Sequence, residues 1–257
     1  MSNLASQTVT HIHHWNESLF SFRTTRDSGF RFKNGHFVMM GIPQENRPLM
    51  RAYSIVSANH EDELEFFSIK VPDGPLTSKL QNIQIGDEIL LSTKPTGTLI
   101  TDNMLPGKRL WLISTGTGLA PFMSIIKDPE VYEQFDQVIL THGVRTVSEL
   151  AYSEFIQNEL PNNEYFGELV REKLRYYPTV TREAFRNNGR LSDLIVSGKL
   201  FLDLALPKPS VDEDRFMLCG SPSMLKDCRK ILEDRGFDEA KNGRPGHFVI
   251  ERAFVES

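Results

Sequence analysis

Arg109-Leu-Trp-Leu-Ile-Ser-Thr-Gly-Thr-Gly-Leu-Ala-Pro-Phe-Met-Ser124 is the stretch whose reading decides the fold. The run from Arg109 to Ser114 is almost continuously apolar, as in a strand buried on both faces. The loop Ser114 to Pro121 follows, and a helix-like apolar stretch begins at Leu119. A second apolar run, Gln137 to His142, completes strand, helix, strand, the unit of a parallel sheet. Further units are expected through Tyr176–Thr181 and Arg215–Cys219. From about residue 105 onward the chain therefore reads as a doubly wound α/β domain.

Upstream the rhythm is different. Short β segments are expected over Val9–Trp15, Leu19–Thr24, Phe37–Ile42, Ala52–Ser57, Leu64–Val71 and Glu88–Ser92. Turn residues such as Asp27-Ser28-Gly29, Asn34-Gly35 and Gly86-Asp87 separate them. One or two helical turns, Leu76 to Asn82, interrupt the series. Six short strands in this span predict a six-stranded antiparallel β-barrel. The whole is a two-domain chain, 1–104 and 105–257, joined near residues 100–107.

The glycine loop has the geometry to bring backbone N–H groups of Thr115, Gly116 and Gly118, and a helix N-terminus, against a pyrophosphate. Pro121 stands where a third glycine is usual, so the loop by itself reads equally well as a tight strand-to-helix turn. After the second strand, where NAD binders place an acid, stands His142-Gly-Val-Arg145, and Arg182, Arg186 and Arg190 follow. Arginines there favour a 2′-phosphate, with Arg186 as the expected bystander. Arg51-Ala52-Tyr53-Ser54 puts a guanidinium and a ring on one face of a strand. Gly74, Leu76 and Thr77 lie in a turn leading to a helix N-terminus that suits phosphate oxygens. Cys219-Gly220 stands at a strand's carboxyl end, where ligands of such sheets bind. Each motif also has a plain structural reading, as core tyrosine, helix cap or buried thiol.

Composition narrows the function. A formal net charge of −5 argues against a global nucleic-acid binder. Two cysteines, Cys219 and Cys228, are too few for a disulfide scaffold or a plant-type iron–sulfur cluster, and they suggest reduced, cytoplasmic thiols. No stretch is long and apolar enough to span a bilayer, so no membrane association is expected. His11, His13 and His14 have no carboxylate or cysteine near them in sequence, and no metal is expected.

Taken in order, these motifs resemble the ferredoxin–NADP reductase family over nearly the whole chain, and the ending Ala253-Phe-Val255 resembles its bacterial branch. The resemblance implies FAD at the junction of the barrel and the NADP(H)-binding domain. It implies Arg51 on the pyrophosphate, Tyr53 against the isoalloxazine, Ser54 near flavin N5, and Gly74, Leu76 and Thr77 at the flavin phosphates. The tail would return to the flavin, with Ala253 facing it and Phe254 on the adenine. Thr117 and Cys219 would line the nicotinamide pocket with Gly220, and Arg145, Arg182 and Arg190 would read the 2′-phosphate. Tyr53, Ser54 and Cys219 are thus the expected catalytic residues. The implied activity is FAD-dependent electron transfer between NADPH and ferredoxin or flavodoxin, by a monomer, through hydride transfer to the flavin and one-electron release. The rivals are a reductase component of an oxygenase, a free flavin or ferric reductase, and a non-catalytic flavin-binding module. Arg31, Lys33, Lys108 and Arg109 are candidates for a basic docking face for acidic carriers.

Overall fold

The computed structural model describes residues 4–43, 48–241 and 243–252. Its first six strands are β1 (Leu4–His14), β2 (Leu19–Thr24), β3 (Phe37–Gly41), β4 (Arg51–Ser54), β5 (Leu64–Ile69) and β6 (Glu88–Ser92). They form one antiparallel sheet in the order β4-β3-β6-β1-β2-β5. β1 is longer than expected because it serves two partners. Leu4–Thr8 pairs with β6, and after an irregularity between Val9 and His11 the strand pairs with β2. The two edges of the sheet meet where Ile55 bridges Phe66 and the Val56 N–H donates to Glu65 O (2.8 Å). This makes the sheet a nearly closed barrel filled by Phe20, Phe22, Phe66, Val38 and Met40, with Leu80 of the one-turn helix α1 (Thr77–Leu80) among them.

The second sheet is parallel throughout. It comprises β7 (Arg109–Thr115), β8 (Gln137–Val144), β9 (Leu174–Val180), β10 (Asp214–Gly220) and β11 (Phe248–Arg252), in the order β11-β10-β7-β8-β9. Alternate residues of β7 enter opposite cores. Leu110 and Leu112 pack towards α2 (Ala120–Ile126) and α3 (Pro129–Gln134). Trp111 and Ile113 pack towards α4 (Leu191–Ser197) and α5 (Pro222–Asp234). With helices on both faces the sheet is doubly wound, as predicted. β11, which the sequence reading did not include, is a fifth strand that pairs with β10 at the sheet edge.

The first of these cores is continuous with the barrel through Leu19, Val56, Phe67 and Leu99. Every residue of α2 is buried, and Ser124 at its centre donates to Ser57 O (2.7 Å) and to Asn34 Oδ1 (3.0 Å) on the barrel side. Burial of so much apolar surface, rather than these polar ties, dominates the contact between the two sheets. The chain order reverses at β7, which lies between β10 and β8. In such sheets the ligand crevice opens at the carboxyl ends of the strands flanking that reversal.

Candidate active site

The loop at the reversal is built by two glycines with different duties. Gly116 adopts φ +54, the left-handed region that glycine enters without cost, and a Cβ there would meet open space. Gly118 is required for close approach, since a Cβ on it would lie 2.3 Å from Cys219 O. A Cβ on Gly220 would likewise lie 2.2 Å from Thr115 Oγ1. Thr115 Oγ1 also accepts from Ser221 N (2.9 Å), so its hydroxyl clamps the β10 loop. Thr115, Gly116, Gly118, Cys219 and Gly220 are therefore brought together as one double loop at the carboxyl ends of β7 and β10.

Against this double loop stands the open end of the barrel. Ala52, Tyr53 and Ser54 of β4, with Phe67 and Ile69 of β5, form one wall of a cleft of about 170 Å³. Thr117 and Ala120 form the facing wall, and Glu251 and Arg252 of β11 close one end. Tyr53 is buried, with its hydroxyl 3.3 Å from Ser68 Oγ, while Ser54 is half-buried. The lining combines aromatic and aliphatic side chains with a few polar ones, as in small-molecule sites.

Arg51 is half-buried and donates to Met50 O (3.2 Å), and among the described residues it has no carboxylate partner. The turn after β5 satisfies itself. Gly74 N donates to Val71 O, Ser78 N to Gly74 O, and Thr77 Oγ1 to Val71 O (3.2 Å). Leu76 is part of the barrel core. Ala253 and Phe254 lie outside the described residues.

Arg145 and Arg182 are exposed neighbours, joined by a backbone bond from Arg182 N to Arg145 O (2.9 Å). Arg190 is exposed at the end of the same loop, while Arg186 is engaged with Gln157 (3.1 Å). Among the described residues none of these four arginines is ion-paired. Cys219 is buried, and burial pushes its thiol far above the ordinary value, so it is a neutral SH. His142, level with Ser114 across β7 and β8, is fully buried. Desolvation lowers it to about 4, which keeps the ring neutral, and among the described residues its Nε2 has no hydrogen-bond partner.

The first half of the chain, residues 6–99, matches the family model described as an oxidoreductase FAD-binding domain, and residues 112–230 match an oxidoreductase NAD-binding domain. The chain is 60% identical to the ferredoxin–NADP reductase of Pseudomonas aeruginosa, covering all of both proteins. It belongs to the ferredoxin–NADP reductase family. It is also 32% identical to the flavodoxin/ferredoxin–NADP reductase of Escherichia coli, over 98% of this chain and 99% of that protein. Among solved structures it is similar to a ferredoxin NADP+ reductase from Neisseria gonorrhoeae with bound FAD and NADP. That match has a TM-score of 0.90 and 31% identity, covering 99% of this chain and 100% of the other.

Among the residues of the reductase cleft that escaped the sequence reading, Glu251 is the one carboxylate. Glu251 lines the cleft, lies level with Cys219 across β10 and β11, and accepts from Thr98 Oγ1 (3.0 Å) and from the Thr98 N–H. Desolvation raises its pKa despite those bonds. The only signal in the sequence was a carboxylate in the apolar run Phe248-Val-Ile-Glu251. The expected basic docking face loses Arg109. Arg109 pairs with buried Asp214 through two bonds of 2.8 Å, and the same carboxylate accepts from Trp111 Nε1 (2.7 Å). Lys108 pairs with Glu213, Lys33 with Asp102, and Arg31 donates to Ser28 O. Arg109 is thus a core anchor, and the other three charges are engaged locally.

Proposed function

We propose that this chain is an FAD-dependent reductase that carries electrons from NADPH to a ferredoxin or flavodoxin. The observation that carries the reading is the single cleft uniting Tyr53 and Ser54 of the barrel with Thr117 and Glu251 of the parallel sheet. Bound there, FAD supplies hydride acceptance from the nicotinamide and release of electrons singly. Tyr53 and the double loop would hold its ring, and Arg51 with the Gly74–Thr77 turn would hold its phosphates, Leu76 fixing that turn from the core. Ser54 would offer its hydroxyl to the ring.

The residues of the double loop prepare the nicotinamide side. The Gly116 and Gly118 backbone offers N–H donors to the dinucleotide's pyrophosphate. Cys219, as a neutral thiol, shapes the floor without adding charge, and Gly220 keeps that floor low. Glu251 holds a proton on its carboxyl to higher pH than an exposed glutamate, so a dry cleft is not burdened with an unpaired anion. Arg145, Arg182 and Arg190 would read the 2′-phosphate.

The division at 104/105 into a flavin domain and an NADP(H) domain belongs to the same proposal, supported by the end of the barrel strands at Ser92 and the start of the parallel sheet at Arg109. So do a cytoplasmic location, supported by two buried free thiols, and a monomeric state. The test is NADPH-driven reduction of purified ferredoxin and flavodoxin by the FAD-loaded protein. NADPH is expected to outperform NADH, and an Arg145→Ala, Arg182→Ala double variant should lose about a hundredfold of that preference in kcat/KM. Equal use of NADH by the wild type would overturn the assignment of the arginines.

A further inference from the structure

A second and larger cavity, of about 570 Å³, is left without a role by the reductase reading. Its volume falls within the roughly 300–1,000 Å³ of small-molecule sites. Tyr152 lines it, and its ring meets Phe67 of the flavin cleft edge-on at 5.3 Å. Tyr152 in turn packs on Trp15 (4.6 Å), and Trp15 on His13 (4.2 Å), giving the cavity an aromatic side.

The opposite character is electrostatic. Glu61, Asp62, Glu63, Glu65 and Glu159 line the cavity, against one arginine, Arg23, and one lysine, Lys127. The two cations are already engaged. Arg23 pairs with Glu65 (3.4 Å) and Glu63 (3.9 Å), and Lys127 with Glu61 (2.7 Å). Among the described residues, Asp62 and Glu159 are in no salt bridge, although Arg26 lies within coulombic reach of Asp62. Glu65 is buried and also accepts from the Tyr152 hydroxyl (2.7 Å), which holds the aromatic wall against the acidic one.

The remaining wall is a short π-helix, Phe155–Glu159, whose first and last residues both line the cavity. Such wide turns are rare and recur at functional sites. Here the turn places a ring and a carboxylate on the same opening.

We propose that this cavity binds a small organic cation with a flat apolar body, of the aryl-amidinium or arylalkyl-amine class. Its apolar part would lie against Trp15 and Tyr152, which favour a cation over a neutral ring. Its charged head would face Asp62 and Glu159. An anionic ligand would meet uncompensated carboxylates, and a purely aliphatic one would leave those charges unused.

The test is isothermal titration of the FAD-loaded protein with benzamidinium chloride, with benzamide as the neutral isostere. The titration needs no turnover, so its outcome is independent of the reductase reading. A saturable one-site heat is expected for benzamidinium and binding at least about tenfold weaker for benzamide. An Asp62→Asn, Glu159→Gln double variant changes two exposed side chains and should weaken benzamidinium about tenfold. Trp15→Leu, with a circular dichroism spectrum unchanged from wild type, should weaken it as well. Absence of saturable heat, equal binding of benzamide, or unchanged binding by the double variant would overturn the proposal.

Discussion

Glu251 in the cleft lies level with the buried Cys219 of β10, and burial acts on both by disfavouring their charged forms. For Glu251 the consequence for stability has a definite sign. The folded protein holds this proton to higher pH than the unfolded chain, whose carboxyl titrates near 4.5. Stability from this group is therefore full below that value and declines as pH rises through the native pKa. Glu251→Gln should remove the decline, so its urea midpoint should gain on wild type between pH 4.5 and 7; a constant difference across that window would contradict the assignment. Cys219 in turn should resist iodoacetamide in the native protein and react only on unfolding, because the neutral, enclosed thiol is a poor nucleophile. Rapid native alkylation, followed by mass spectrometry, would show that the β10 loop opens.

Among the elements, the double loop depends on Gly118 more than on any other residue. Gly118→Ala forces a methyl onto the Cys219 carbonyl, and should destabilise the fold by about 1–3 kcal/mol while raising KM for NADPH. Thermal melts and steady-state kinetics together test this, and an unchanged KM would mean that the two loops can part freely. The loop was legible because β7 and β8 are continuous apolar runs, and nothing but a buried parallel strand followed by glycines reads that way. The barrel strands were legible from their turn residues. The first half of β1 was not, because Leu-Ala-Ser-Gln-Thr8 carries little apolar alternation and owes its strand to pairing with β6. β11 went unread, because five residues at a sheet edge give only a short apolar run. Its glutamate became a cleft residue only through register with Cys219.

For the whole molecule, the reading of charge failed where contacts are distant in sequence. Arg109 and Asp214 are separated by more than a hundred positions, so no local pattern could reveal that this arginine is buried with a tryptophan N–H on the same carboxylate. The motif order, by contrast, was informative because it depends only on the sequence of elements that assemble one cleft. The two sheets share a core through α2 and Phe67, so the barrel's Tyr53–Ser54 and the sheet's Thr117 are held on one rigid frame. That joint cleft is the central claim, and its most direct test is the visible spectrum of the purified protein before and after anaerobic addition of NADPH, and separately of NADH. The account predicts flavin bands that bleach faster with NADPH; a protein that binds no FAD on reconstitution, or whose flavin NADPH leaves oxidised, would contradict it.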